Sequence, residues 1–407
     1  MRITGLLAAG ALVCCAATSA EIGEKNIRFV QYPEFPEAHS TWGSIGYSSA
    51  SNRVYVGVTN HRDRVGLFEY DIAAGKMSLC GFVPDLAHLR DYQWQGKVHS
   101  QIVEGPDGAM YFTTDGGESR EEFLMENPHG YSGGFLFRWD PAARRLTNLG
   151  VPMQYESIKD LAIDQQSGKI LMVSYPQVRL LLFDPKTNDV RDLGRVGSDH
   201  VPRVIFRDWW SNIYYVDWRQ RLIKWESGSE KLLFARDNLP EFPGTTGEQV
   251  VTGVTAYAVD KPNGVIYLVT YGSKILAFHP QKEGIGRVDD LGGIFDAPGQ
   301  KPNSYYCPNL ALGRNGKLYY FIGGHGMYAV GGQNVGLMEF DPKTKTRRIV
   351  STFPTKVISE VTGSDVRDRQ GNLYFAGRKD DRTAARMGES GASRPFMIMF
   401  NPEKELQ

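Results

Sequence analysis

The chain has 407 residues, 46 Lys+Arg against 46 Asp+Glu, and 41% hydrophobic residues. That balance excludes an overall field steering the protein to nucleic acid or a membrane surface, though local basic clusters can still hold an acidic polymer. Four cysteines occur without a CxxC or Cys/His zinc spacing.

Residues 1–20 read as a cleavable secretory leader. Arg2 supplies the positive start, an apolar run follows over 6–17, and Thr18, Ser19 and Ala20 suit a signal peptidase. The run is too short for a good membrane span, and no later stretch replaces it. Residues 21–407 are therefore expected to be periplasmic or secreted, as a single domain and a monomer. Cys80 and Cys307 are the cysteines beyond the leader. Export permits a disulfide, but they fall in repeats that should not be neighbours, so two buried free thiols are expected.

From residue 45 onward one pattern recurs: an apolar strand, a Gly/Asn/Asp turn, a Tyr-rich strand, a loop, another apolar strand and an Asp-Pro-like turn. The first turn appears at Ser51-Asn52, Asp107-Gly108, Ser167-Gly168, Ser211-Asn212, Asn263-Gly264, Asn315-Gly316 and Gln370-Gly371. The second appears at Tyr70-Asp71, Asp140-Pro141, Asp184-Pro185, Trp225-Glu226, His279-Pro280, Asp341-Pro342 and Asn401-Pro402. Both series mark the same seven units, at a spacing of roughly 35–55 residues that suits four-stranded propeller blades. Gly, Asn and Asp populate such hairpins because they tolerate positive φ or cap the backbone with a side chain. The fold class is all-β, a seven-bladed β-propeller. Helical periodicity is nearly absent, with one short helix expected near Asp85 to Leu89.

In such a ring the two turn series share one face, which is scaffold. The opposite face collects the long loops, where function concentrates. These include 115–134 with His129 and Tyr131, 323–336 with His325, and 377–394, beside Trp218 and Arg219. The residues that open each inner strand should ring the channel mouth. They are His39, Lys97 and His99, Glu156 and Lys159, His200 and Arg203, Thr252, Tyr306 and Asn309, and Ser364 and Asp365. No Asp-box, WD series, Walker loop or serine nucleophile elbow is present.

Three stretches carry a family likeness: Trp94-Gln-Gly-Lys-Val-His99, Gly105-Pro-Asp-Gly-Ala-Met-Tyr-Phe-Thr-Thr114, and Tyr131-Ser-Gly-Gly-Phe-Leu-Phe-Arg-Trp-Asp-Pro141. They resemble the second blade of the seven-bladed propeller polysaccharide lyases of the ulvan-lyase type. Tyr175 to Asp184 and Val201-Pro-Arg203 resemble the next blades of related secreted propellers. The resemblance implies β-elimination by a histidine pair helped by Tyr and Arg, and His99 matches the first histidine. The family's second histidine follows a Gly-Gly pair, whereas here Gly133-Gly134 is followed by Phe135, with His129 just upstream.

Elimination from a uronic acid removes the C5 proton once the neighbouring carboxylate is neutralised. His99, His129, Tyr131 and Arg203 are the expected catalytic set. Substrate contacts are expected from His39, Lys97, Lys159, Trp218, Arg219, Tyr306, Asn309 and His325, with Trp94 as a further stacking surface. The expected partner is an anionic polysaccharide or oligosaccharide. No cofactor is required, although Glu156, Asn309 and Asp365 offer oxygen donors for a divalent metal ion, as in propeller lactonases. A non-catalytic glycan- or protein-binding platform is the reading from another class.

Overall fold

The computed structural model describes residues 22–60, 64–90, 93, 95–116, 131–197, 204–242, 253–295, 307–322, 334–380 and 393–406. Antiparallel sheets follow one another along the chain. Four of them are four-stranded, over 45–82, 157–195, 206–234 and 254–293. The sheet over 97–148 has five strands, because its innermost strand is split into Lys97–Val98 and Val103–Glu104. The last is an eight-stranded sheet of two antiparallel halves. These halves, 309–354 and 360–400, meet through a short parallel pairing of Asn309 with Gly363 and Leu310 with Ser364.

The first strand, Ile27–Gln31, is not part of the sheet that follows it. It pairs with Ser393–Phe400 in register from Ile27 opposite Phe400 to Gln31 opposite Phe396. Asn26 locks this closure, since its Nδ2 donates to the carbonyls of Asn401 and Lys404 at 3.0 Å.

Apolar clusters fill the gap between each sheet and the next. Tyr55 and Leu67 pack on Phe112 and Phe137, and Leu136 packs on Ile158 and Leu181. The series continues to a cluster in which Val54 and Val56 of the 45–82 sheet meet Tyr374 and Met397 near the C-terminus. The sheets therefore close on themselves as a β-propeller. Each buried aromatic or aliphatic side chain contributes roughly 1.5–3 kcal/mol.

The turns behave as their composition predicts. Asp71, Asp140, Asp184 and Asp341 each accept, through Oδ1, a backbone N–H two or three residues on. This side-chain-capped turn is why Asp recurs there. A second device is legible only in the structure. Asp208 accepts from the N–H of Trp210 and Asn212, the Asn212 amide and the Tyr214 hydroxyl. Asp368 repeats this with Gln370, Asn372 and Tyr374.

The short helix is Val83–Leu86, two residues earlier than expected, because Pro84 presets the first helical turn. The position after Gly133-Gly134, where the resembling family has its second histidine, is a core position here. Phe135 is buried, stacked on Phe137 at 5.7 Å, and belongs to the core. Gly134 is required by a close approach, since a Cβ there would lie 2.1 Å from the Thr114 carbonyl oxygen.

Candidate functional site

The inner strands converge on an axis and leave two recesses. The upper recess lies where these strands begin, and the lower one further along them, towards the tight turns. Ser364 borders both, and so does Gln101. Its Nε2 donates to Asp160 Oδ2 at 2.9 Å and to the Ile205 carbonyl at 3.1 Å, while its Oε1 accepts the Tyr257 hydroxyl at 2.9 Å.

The upper recess is narrow, with about 50 Å³ of room for the centres of water molecules. Trp42, His99, Lys159, Thr255, Glu360 and Ser364 are among its walls. Behind this lining lies a buried charge cluster. Lys159 Nζ meets Asp115 Oδ2 at 2.6 Å, and Lys97 Nζ lies 4.0 Å from the same oxygen. Burial alone would raise the Asp115 carboxyl, but Lys159, Lys97 and His99 outweigh it and hold the group well below the usual range.

Trp42 sits between two cations, Lys97 Nζ at 5.0 Å from its ring and Arg378 at 5.5 Å. Such contacts hold a cation over a π face. Arg378 also pairs with Glu360 at 2.6 Å. Lys159 Nζ lies 4.8 Å from the Tyr175 ring. Three cationic heads thus gather here, two from consecutive sheets and one from near the C-terminus, set against Asp115 and Glu360.

His99 is oriented by a backbone carbonyl. Its Nδ1 lies 3.0 Å from the Lys159 carbonyl oxygen, which can only accept. In the neutral ring Nδ1 therefore carries the hydrogen and Nε2 is the basic nitrogen. His39 is different. Burial, and then the charge of Arg378, lower its pKa to about 4, so it is neutral above that.

The other expected residues divide. Tyr131 is buried, its hydroxyl 2.9 Å from Ser157 Oγ, and burial pushes its pKa far up. Asn309 is a stitch between sheet halves: its Nδ2 donates to the Phe321 and Val361 carbonyls, and its Oδ1 accepts the Phe321 N–H. Trp218 is 52% exposed with Arg219 over its ring at 4.8 Å, and neither lines a channel recess. Trp94, His129, His200, Arg203, Thr252, Tyr306 and His325 lie outside the described residues.

Glu156, Asn309 and Asp365 do not form a donor set. Glu156 Oε2 accepts from Ser174 Oγ and the Gln177 N–H, and Asp365 faces the lower recess. Among the described residues no group of three or more His, Cys, Asp or Glu is arranged to hold a metal. Cys80 and Cys307 are free thiols, Cys307 buried and Cys80 partly so, and burial pushes both up to about 12.

Sequence reasoning did not find Trp42, Gln101, Asp115, Arg207, Tyr257, Glu360 or Arg378. Gln101 had a signal, since it stands two residues beyond His99 and so on the same face of an extended segment. Trp42 and Arg378 had none, because they meet only when the ring closes.

No family model matches the chain, and no curated protein matches it. Solved structures do. The extracellular domain of the putative hybrid two component system BT3049 from B. thetaiotaomicron aligns with a TM-score of 0.54 at 12% identity, covering 93% of this chain. The chain spans only 41% of that one. YCF48 from Cyanidioschyzon merolae aligns at 0.50 and 11% identity, over 93% of this chain and 100% of the other. U3-55K aligns at 0.55 and 10% identity, over 92% and 98%. At these identities the likeness, which extends to WD40 repeats, establishes the β-propeller fold and nothing finer.

Proposed function

We propose that residues 21–407 are an exported, single-domain propeller of seven blades that binds an anionic saccharide at the upper mouth of its channel and cleaves uronic-acid glycans by β-elimination. Counting each half of the eight-stranded sheet as one blade supports the number seven. The leader read at 1–20 lies outside the described residues; no described helix is long and apolar enough to cross a membrane.

The observation that carries the reading is His99, with Nδ1 turned to the Lys159 carbonyl and the ring on the wall of the cationic recess. A uronate carboxylate drawn to Lys97 and Arg203 would lose its repulsion towards a developing negative charge. His99 Nε2 takes the C5 proton, the C–H electrons form the C4–C5 double bond, and the C4–O bond breaks. The leaving oxygen takes its proton from a histidine or tyrosine, for which His129 and Tyr131 are the assigned groups.

The narrow recess and the engagement of Lys159 by Asp115 favour a second reading, a platform that binds a glycan terminus without turnover. Incubating the mature chain with a panel of uronic-acid polysaccharides, with and without chelator, separates the two. Rising ultraviolet absorbance that survives chelation supports elimination. A flat trace with retained binding supports the platform. Loss under chelation brings back a metal-dependent reaction.

A further inference from the structure

The lower recess is the larger of the two, with about 300 Å³ of room for water centres. That is far more than the room a single water needs. Arg207 and Asp365 are both on its wall, together with Tyr257 and Gln165.

Arg207 is a partly buried cation that no carboxylate meets at salt-bridge distance among the described residues. Among the described residues its guanidinium makes one hydrogen bond, from Nη1 to the Asp208 carbonyl at 3.1 Å, and no ion pair. Two of the nearby acids are already engaged. Asp208 accepts four donors of its own turn, and Asp164 accepts from the Gln166 N–H and the hydroxyls of Ser167 and Ser227. Burial lowers the Arg207 pKa, and the surrounding charges of Tyr257, Asp208, Asp164 and Asp365 do not make up the loss. An arginine so placed presents a planar fork that fits a carboxylate.

Asp365 adds the other half. It holds a left-handed backbone conformation, φ 54°, fixed by its N–H to the Leu310 carbonyl. One carboxylate oxygen, Oδ1, accepts the Val259 N–H at 3.2 Å. Strained non-glycine backbone is kept where the surroundings over-determine it, and such positions cluster at binding sites.

We propose that the lower mouth is a second binding site, taking a small hydroxycarboxylate whose carboxylate sits on Arg207 and whose hydroxyl donates to Asp365. The site does not depend on the upper mouth binding a uronate, because Arg207 and Asp365 line only the lower recess.

The test uses D-glucuronate and D-glucose as probes in calorimetric titration of the mature chain. The titrations are run in a Lys97→Gln, His99→Gln background, which disables the upper mouth. Glucuronate is expected to saturate one site per chain, glucose to give no heat, and Arg207→Gln to weaken glucuronate by about tenfold or more. No binding in that background, or unchanged affinity after Arg207→Gln, overturns the proposal. An arginine-selective dicarbonyl on the unsubstituted chain gives an independent readout that needs no folded variant. Glucuronate but not glucose should protect Arg207, as read by peptide mass spectrometry, and equal labelling with and without glucuronate overturns it.

Discussion

The hydroxyl of Tyr257 donates to the side-chain carbonyl of Gln101 at 2.9 Å, joining residues 156 apart in sequence across the propeller axis. Gln101 uses its amide nitrogen on Asp160 and Ile205, so one side chain ties these sheets together. Replacing it with leucine strands the Tyr257 hydroxyl and leaves Asp160 Oδ2 with the Ile205 N–H alone. Gln101→Leu should cost about 2 kcal/mol, and a urea melt showing no loss would mean that water replaces the amide at no cost.

The buried Asp115–Lys159 pair responds asymmetrically. Asp115→Ala leaves Lys159 charged with Lys97 close by, and should cost about 3–5 kcal/mol. The double variant Asp115→Val, Lys159→Met removes both charges and should recover most of that loss. Equal destabilisation of single and double variants, read by denaturant melts, would argue against the pair as the source.

Closure of the ring rests on Ile27–Gln31, which covers the outer edge of Ser393–Phe400. A chain beginning at residue 32 also loses the Asn26 bonds to Asn401 and Lys404. It should lose cooperative unfolding by circular dichroism and tend to associate through the bared strand edge. A melt matching the full mature chain would show that closure needs only the packed clusters.

His39 predicts a pH dependence. Burial and Arg378 lower its folded pKa to about 4, against 6.5 for an ordinary histidine. The unfolded chain therefore binds the proton more readily between these values. The stability His39 contributes is present above pH 6.5 and is lost as pH falls towards 4. His39→Gln should flatten the fall in melting temperature over that window, and an unchanged profile would assign the acid limb to other groups.

The legible part of the fold was its punctuation. Asp140, Asp184 and Asp341 stand in turns they cap themselves, so local chemistry writes them into the chain. The site was less legible because its contacts are made by closure. Lys97, Trp42 and Arg378 come from three distant stretches and meet as a stack. Arg207 and Asp365, on sheets well separated in the chain, share the lower recess for the same reason. The Gly133-Gly134-Phe135 stretch shows the reverse case, a motif suggestive of a site whose glycines serve packing.

The central claim is that His99 removes a proton at the upper mouth, and the rate of unsaturated-product formation from the uronic-acid polymer that responds in the panel tests it most directly. His99→Ala should slow that rate by about 10²–10⁴-fold while the melting curve stays cooperative. Unchanged turnover in His99→Ala, or no product from any polymer with the intact chain, would contradict the account.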